Sequence, residues 1–356
     1  MMKSYKLTDA GLKILNGRNF ETEEYVCFTS INPVAQAIRD NIVTGPGLVP
    51  GIAVASICLQ AQAYANTSTP EAFYYTLQEA VLALKAARPY SLPLTRTVAT
   101  ISRLVGDLVS SRCSVEDCGR ALEYLHGILC ASIDKDEIHI RRHLDATLPK
   151  DGAIIAVGGF GSRHSVASGT LVPALINRKN AGNDLPQVYC PTAAPLTETI
   201  YTVKELKSCG CHAQLLPDNS LPGAMLREVV KAVYVMGVRI CANGDVQAPA
   251  GSTGIAAVAK QLGIPVYIIA YKHCFDASYP TGIEVPVEEC HRPDSKMSDL
   301  LPEFEPFVNL IPHEWVSGYI TAEGLVQSST PDRLKPFMDP ADTVLLAALE
   351  AVRHLI

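Results

Sequence analysis

The 356-residue chain has no cluster of lysine and arginine, and its net charge is −6. Phosphate-backbone binding needs a concentrated basic surface, so no nucleic-acid partner is expected. No apolar run reaches bilayer-spanning length, and the start, MMKSYKLTDAG, lacks an apolar signal core. A soluble, cytoplasmic protein without a membrane partner is the expectation. Internal repeats and low-complexity segments are also missing. The eleven cysteines are scattered, mostly inside apolar segments, and read as small buried hydrophobes in a reducing compartment rather than as a disulfide framework. Cys209-Gly210-Cys211-His212 lacks the second ligand pair that zinc spacing requires. A helix end at Gly210, turning into a strand at Ala213–Leu216, is the plainer reading, and no metal is expected.

With 48% hydrophobic and 19% charged residues, the chain is a well-cored globular one, long enough for two domains. Residues 1–149 read as a mostly helical domain with short strands. Strands are expected at 12–15 and Tyr25–Phe28, around a Gly17-Arg18-Asn19 turn. Helical patterning starts at Asn32 and stops at 43–51, too rich in glycine and proline for a helix. Residues 52–65 are dense in small side chains, as in a buried helix. Ser68-Thr69-Pro70-Glu71 has the form of a capping box, with Phe73, Leu77, Val81 and Leu84 at helical spacing behind it. Further helices are expected at 94–108, from Ser114 to about Ile133, and over the charged segment 136–148. That last segment carries His139 and His143 on one face, as a solvated surface would.

Beyond Pro149 the texture changes. Short apolar runs at Ala153–Val157, 187–190, Ala213–Leu216, 232–236 and 265–270 are separated by helix-length segments. That alternation predicts a doubly wound, Rossmann-like parallel sheet over 150–356, an α/β domain carrying most of the site. Ligands bind such sheets where strand ends meet helix starts. The first strand ends in Gly158-Gly159-Phe160-Gly161-Ser162-Arg163-His164-Ser165. Either its glycines let backbone approach a ligand, with Arg163, His164 and Ser165 facing it, or they make a tight turn with no ligand. The spacing does not match the dinucleotide fingerprint, so no nicotinamide cofactor is implied. Asp218 and Asn219 end another strand. There Asp218 is either a helix cap or a partly desolvated acid/base. Asn243-Gly244-Asp245 has the composition of a hairpin or tight turn. His273, Cys274 and Asp276 follow the last strand, with no hydrolase elbow around them.

With these residues in order, the chain resembles the methylthioribose-1-phosphate isomerase family. That family shares its fold with ribose-1,5-bisphosphate isomerases and with the α, β and δ regulatory subunits of translation initiation factor 2B. The resemblance rests on Ala37-Ile38-Arg39-Asp40-Asn41-Ile42-Val43, Ala87-Arg88-Pro89, Asp218-Asn219, Ala242-Asn243-Gly244-Asp245-Val246, Phe275-Asp276, Val285-Pro286-Val287-Glu288-Glu289 and Ile320-Thr321-Ala322-Glu323-Gly324. Each is short, but all occur in the family's order. The resemblance implies that Asp218 matches the catalytic aspartate, that Arg88, Asn243 and Asp245 contact substrate, and that the protein is a homodimer. The departures matter as much. Gly158 stands in the place of the catalytic cysteine, Thr44 in that of a loop arginine, and Thr192-Ala193-Ala194-Pro195 in that of a Glu-Thr-Arg-Pro segment. Gly237-Val238-Arg239 lacks an acid, and an Asn-Lys pair is replaced near Ala248-Pro249.

The expectation is a divergent isomerase acting on a small sugar-like or carbonyl substrate without a phosphomonoester. Two alternatives stand beside it: a non-catalytic subunit like those of initiation factor 2B, and an ordinary methylthioribose-1-phosphate isomerase working with substituted residues.

Overall fold

The computed structural model describes residues 4–16, 22, 24–65, 68–192, 196–227, 229–287, 289–291, 304–306, 308–327, 331–338 and 350. They form two compact units, one reaching to Ile133 and the other beginning at Asp134.

The first unit opens with an antiparallel sheet of β1 (Tyr5–Thr8), β2 (Gly11–Leu15) and β3 (Tyr25–Phe28). β2 and β3 are the expected strands, while β1 adds an edge that its mixed pattern concealed. The turn expected at 17–19 lies outside the described residues. Four helices follow: α1 (Ile31–Arg39), α2 (Val49–Tyr64), α3 (Pro70–Ala87) and α4 (Leu92–Ser110). α2 starts inside the stretch read as non-helical. Pro50 sits in its first turn, where the missing N–H costs nothing, so proline there opens a helix. Ile52, Ala53, Val54, Ala55 and Ile57 are fully buried, as a helix apolar on all sides must be. α3 is capped by Thr69, whose hydroxyl accepts from the Ala72 amide at 3.3 Å.

The two segments expected on either side of residue 135 are one 31-residue helix, α5 (Val115–Asp145). No proline interrupts it, and the charged half continues the helix from Asp134 into the second unit.

The second unit contains a seven-stranded sheet. In chain order its first strands are β4 (Ala153–Val157), β5 (Gln187–Pro191), β6 (Ala213–Leu216) and β7 (Val230–Met236). β8 (Arg239–Cys241) and β9 (Val246–Pro249) form an antiparallel hairpin, as the Asn-Gly-Asp composition allowed. Then come β10 (Val266–Ile269), β11 (Phe275–Asp276), the antiparallel pair β12 (Glu289–His291) and β13 (Phe304–Pro306), β14 (Val308–Ile311), β15 (Gly318–Thr321) and β16 (Gly324–Gln327). The large sheet has the order β16-β15-β10-β7-β4-β5-β6, while β11, β8, β9 and β14 form a smaller one. From β15 to β6 every pairing is parallel, and β16 closes the β15 edge antiparallel. β4 is buried along its whole length, which is why it reads as an unbroken apolar run. Helices α6 (Leu171–Asn180), α7 (Leu196–Ser208), α8 (Leu221–Arg227) and α9 (Ser252–Gln261) alternate with the strands, and α10 (Pro331–Leu334) follows them. α7 ends before Gly210, whose φ of 71° makes the turn into β6. No helix among the described residues is long and apolar enough to cross a membrane.

Candidate active site

The strand order reverses once. From β4 the chain steps outward to β5 and β6, then returns to the other side of β4 with β7 and continues to β10. In an open α/β sheet the crevice outside the strand ends at this switch is the ligand site, because neighbouring loops depart in opposite directions there. β4 runs out into Gly158-Gly159 and β7 into Gly237.

Both β4 glycines are dictated by contact. Gly158 has φ 119°, and a Cβ on it would stand 2.8 Å from Met236 Cβ and 3.3 Å from Pro249 Cγ. A Cβ on Gly159 would stand 2.6 Å from His164 Cγ. Backbone rather than side chain therefore lines the crevice at this point.

Two carboxylates, the buried Glu137 and the half-buried Glu205, brace the loop from behind. Glu205 on α7 accepts from the Ser162 amide at 3.0 Å and from the Ser162 hydroxyl. Glu137 on α5 accepts from the Ser168 amide at 3.0 Å, the Gly169 amide at 2.7 Å, the Tyr271 hydroxyl at 2.9 Å and the Ser165 hydroxyl. Burial pushes both carboxyls above their ordinary pKa, and these donors pull the other way. Thr202 on α7 adds a third brace, accepting from the Phe160 amide at 3.3 Å.

Against this tied backbone stand polar atoms with nothing to bind. His164 Nε2, Thr170 Oγ1 and Ser252 Oγ are buried and have no hydrogen-bond partner among the described residues. Thr170 is anchored to the loop through its amide, which donates to the Phe160 carbonyl at 3.0 Å. Ser252 opens α9 three residues beyond Pro249, the residue against Gly158. Burial, helped by the charge of Arg163, lowers the His164 pKa to about 4, so the imidazole is neutral at physiological pH. Arg163 itself lies over the Tyr201 ring at 5.6 Å. Each orphaned buried group costs about 1–3 kcal/mol and calls for an explanation.

Gly158, Gly159, Arg163 and His164 lie in the loop after β4, and the Ser165 hydroxyl there donates to Glu137. Asp218 and Asn219 start the short turn after β6, the edge strand. With β5 between β6 and β4, and strands about 4.8 Å apart, Asp218 is offset from the β4 end by roughly 10 Å. It is half-buried, and Asn219 is exposed. Asn243 accepts from the Asp245 amide at 2.9 Å. The Asp245 carboxylate accepts from the Gly282 amide at 3.0 Å and from the amide and Nδ1 of His313, each at 3.0 Å. Burial alone would raise its pKa, but the bonds from Asn243, Gly282 and His313 together hold it low. Arg88 is buried and ends α3, in the first unit.

Next to the acid-less position Val238, Arg239 makes a buried ion pair with Asp276 at 2.7 Å. That pair accounts for the aspartate after β10. Cys274 beside it is buried, and His273 stacks on Tyr271. His139 and His143 are half-exposed on α5. Among the described residues no group of three or more His, Cys, Asp or Glu side chains is placed to hold a metal. Sequence reasoning missed Glu137, Thr170, Glu205 and Ser252. Glu137 had one signal, a carboxylate between Asp136 and Ile138 on the apolar side of a charged helix. The other three had none.

The fold defines a doubly wound α/β protein whose strand order reverses at β4. The chain belongs to the Initiation factor 2 subunit family, whose model matches residues 49–328. The methylthioribose-1-phosphate isomerase of Geobacter metallireducens is 25% identical over 334 residues, covering 89% of this chain and 93% of that protein. Among solved structures, the 5-methylthioribose 1-phosphate isomerase of Pyrococcus horikoshii OT3 superposes with a TM-score of 0.80 at 23% identity, covering 95% and 96% of the two chains. The delta subunit of translation initiation factor eIF-2B from A. fulgidus superposes at 0.73 with 20% identity, covering 98% and 100%. The family resemblance read from short motifs is therefore a property of the whole chain.

Proposed function

We propose that the protein is an isomerase that shifts a hydrogen between adjacent carbons of a small, open-chain, sugar-like hydroxy-carbonyl compound held in the β4–β7 crevice. The observation that carries this reading is the set of orphaned buried groups, His164 Nε2, Thr170 Oγ1 and Ser252 Oγ, because hydroxyls and a neutral imidazole suit a neutral polyhydroxylated ligand. Asp218 is the general acid/base. It takes the C2 proton, the electron pair forms the enediol, and the proton returns at C1 as the carbonyl moves to C2. No external oxidant or reductant is needed. His164, neutral at physiological pH, is suited to pass a proton between the two substrate oxygens. Gly158 and Gly159 let the ligand approach backbone, and Arg163 orients its polar end.

The relatives' names specify sugar 1-phosphates. Here Thr44 and the Ala248-Pro249 region stand where the resemblance places charged phosphate ligands, so the substrate of this reading lacks the phosphomonoester. The protein works as a cytoplasmic homodimer in this reading, checked by light scattering of the purified chain. The test is turnover of methylthioribose and of its 1-phosphate in heavy water, followed by proton NMR, with wild type and Asp218→Asn. Deuterium entering the free sugar with wild type alone supports the reading; no exchange into either compound rejects it.

A second reading, a non-catalytic ligand-binding or assembly subunit, is favoured by Gly158. The position matched to the family's cysteine has no room for a Cβ. Saturable sugar binding without exchange, together with co-purification of initiation-factor subunits, would support it.

A further inference from the structure

A concave site lies in the second unit, between the charged half of α5 and α6. It is a groove of about 320 Å³ whose polar lining includes Arg141, Arg142, Arg178, Asp145, Asn177 and Asn183. Three guanidinia around one hollow stand out in a chain whose net charge is −6.

Two of these arginines are held in place by backbone carbonyls. Arg178 donates through Nε to Asp184 O at 3.2 Å and through a terminal nitrogen to Leu148 O at 3.1 Å. Arg141 donates through Nε to Glu137 O at 3.1 Å. A guanidinium carries five N–H donors, so these bonds orient the planes and leave most donors for another acceptor. Asp145 stands 3.8 Å from Arg178, and Asp134 stands 3.9 Å from Arg141, loose ion pairs that make no hydrogen bond to these guanidinia. Arg142 is exposed, and the amides of Asn177 and Asn183 add neutral donors at the rim.

We propose that the groove between α5 and α6 binds a small phosphorylated metabolite, its phosphomonoester seated among Arg141, Arg142 and Arg178. Pre-oriented guanidinia favour a compact dianion, because several charge-assisted bonds form at little entropic cost. The groove volume suits a small molecule rather than a macromolecule. The site is separate from the crevice and does not depend on the reaction proposed for it. Through Arg141 it shares α5 with Glu137, which braces the loop after β4.

The experiment is calorimetric titration of the full chain with inorganic phosphate against chloride at matched ionic strength. Wild type is expected to bind one phosphate per chain. Arg141→Gln/Arg142→Gln, which leaves the structural bonds of Arg178 intact, is expected to weaken binding at least about tenfold. His164→Gln, in the crevice, is expected to keep the wild-type affinity, which locates the site. Should the double variant unfold more readily, Arg142→Gln alone decides, since Arg142 lies on the exposed side of the helix. Loss of affinity in that variant supports the groove. No saturable binding beyond chloride, or equal affinity in wild type and the arginine variants, overturns it.

Discussion

The Asn243-Gly244-Asp245 turn and the loop from Gly158 to Thr170 both follow central strands of one unit, yet they use their polar groups in opposite ways. At Asp245 the carboxylate is engaged by the Gly282 amide and by the amide and imidazole of His313, and Tyr319 donates to the Gly244 carbonyl. In the β4 loop the backbone is tied down by Glu137, Glu205 and Thr202, while His164 Nε2 and Thr170 Oγ1 are buried without partners among the described residues. The difference teaches which residues to regard as ligand contacts. A carboxylate surrounded by protein donors holds loops together, whatever its motif suggests. A buried donor or acceptor left unpaired among the described residues calls for an explanation, and a ligand is one.

The comparison can be broken most forcefully at Asp245. Asp245→Ala leaves two amides and an imidazole without an acceptor and is expected to cost about 4 kcal/mol in urea unfolding. A loss under about 1 kcal/mol would mean that the turn is not the strut described here. Filling the β4 loop comes next. Gly159→Ala drives a methyl into the His164 ring, and Gly158→Cys places its Cβ against Met236 at a φ that disfavours side chains. Each is expected to destabilise by about 2–3 kcal/mol, and the new cysteine to confer no activity on a sugar phosphate.

The third effect is pH-dependent. Burial lowers the His164 pKa from 6.5 to about 4, so between these values the unfolded chain takes up a proton that the native chain refuses. The stability held above pH 6.5 is therefore lost as pH falls toward 4. From about pH 7 to about pH 5 wild type should lose about 2 kcal/mol more than His164→Gln, as measured by urea unfolding at each pH. Smallest is Thr170→Val. Removing a hydroxyl that binds nothing is expected to leave stability within about 1 kcal/mol of wild type while weakening ligand binding. A large loss of stability would show that Thr170 Oγ1 has a protein partner after all.

Much of the fold was legible in the sequence. β4 and β6 match the expected strands residue for residue, and for β4 the reason is that a fully buried strand leaves an unbroken apolar run. α2 was cut short because proline and glycine were read as breakers, although proline in a first turn starts a helix. β8 and β9 were not assigned as strands, although the composition of the turn joining them allowed a hairpin. The site was less legible, for a topological reason. Asp218 and Gly158 both sit at strand ends, but strand order is not written locally, and β5 separates them. Glu137 was hidden in another way: it meets Ser165 and Tyr271 through sequence separations that no motif spans.

The account turns on the β4–β7 crevice holding a neutral sugar-like molecule that Asp218 deprotonates. The direct measurement is the proton NMR spectrum of methylthioribose incubated in heavy water with wild type, Asp218→Asn and Thr170→Val. Expected are deuterium incorporation and ketose formation with wild type, none with Asp218→Asn, and a raised KM with Thr170→Val. Exchange that persists at the wild-type rate in Asp218→Asn would contradict the assignment of the acid/base, and the absence of exchange in wild type would contradict the enzyme itself.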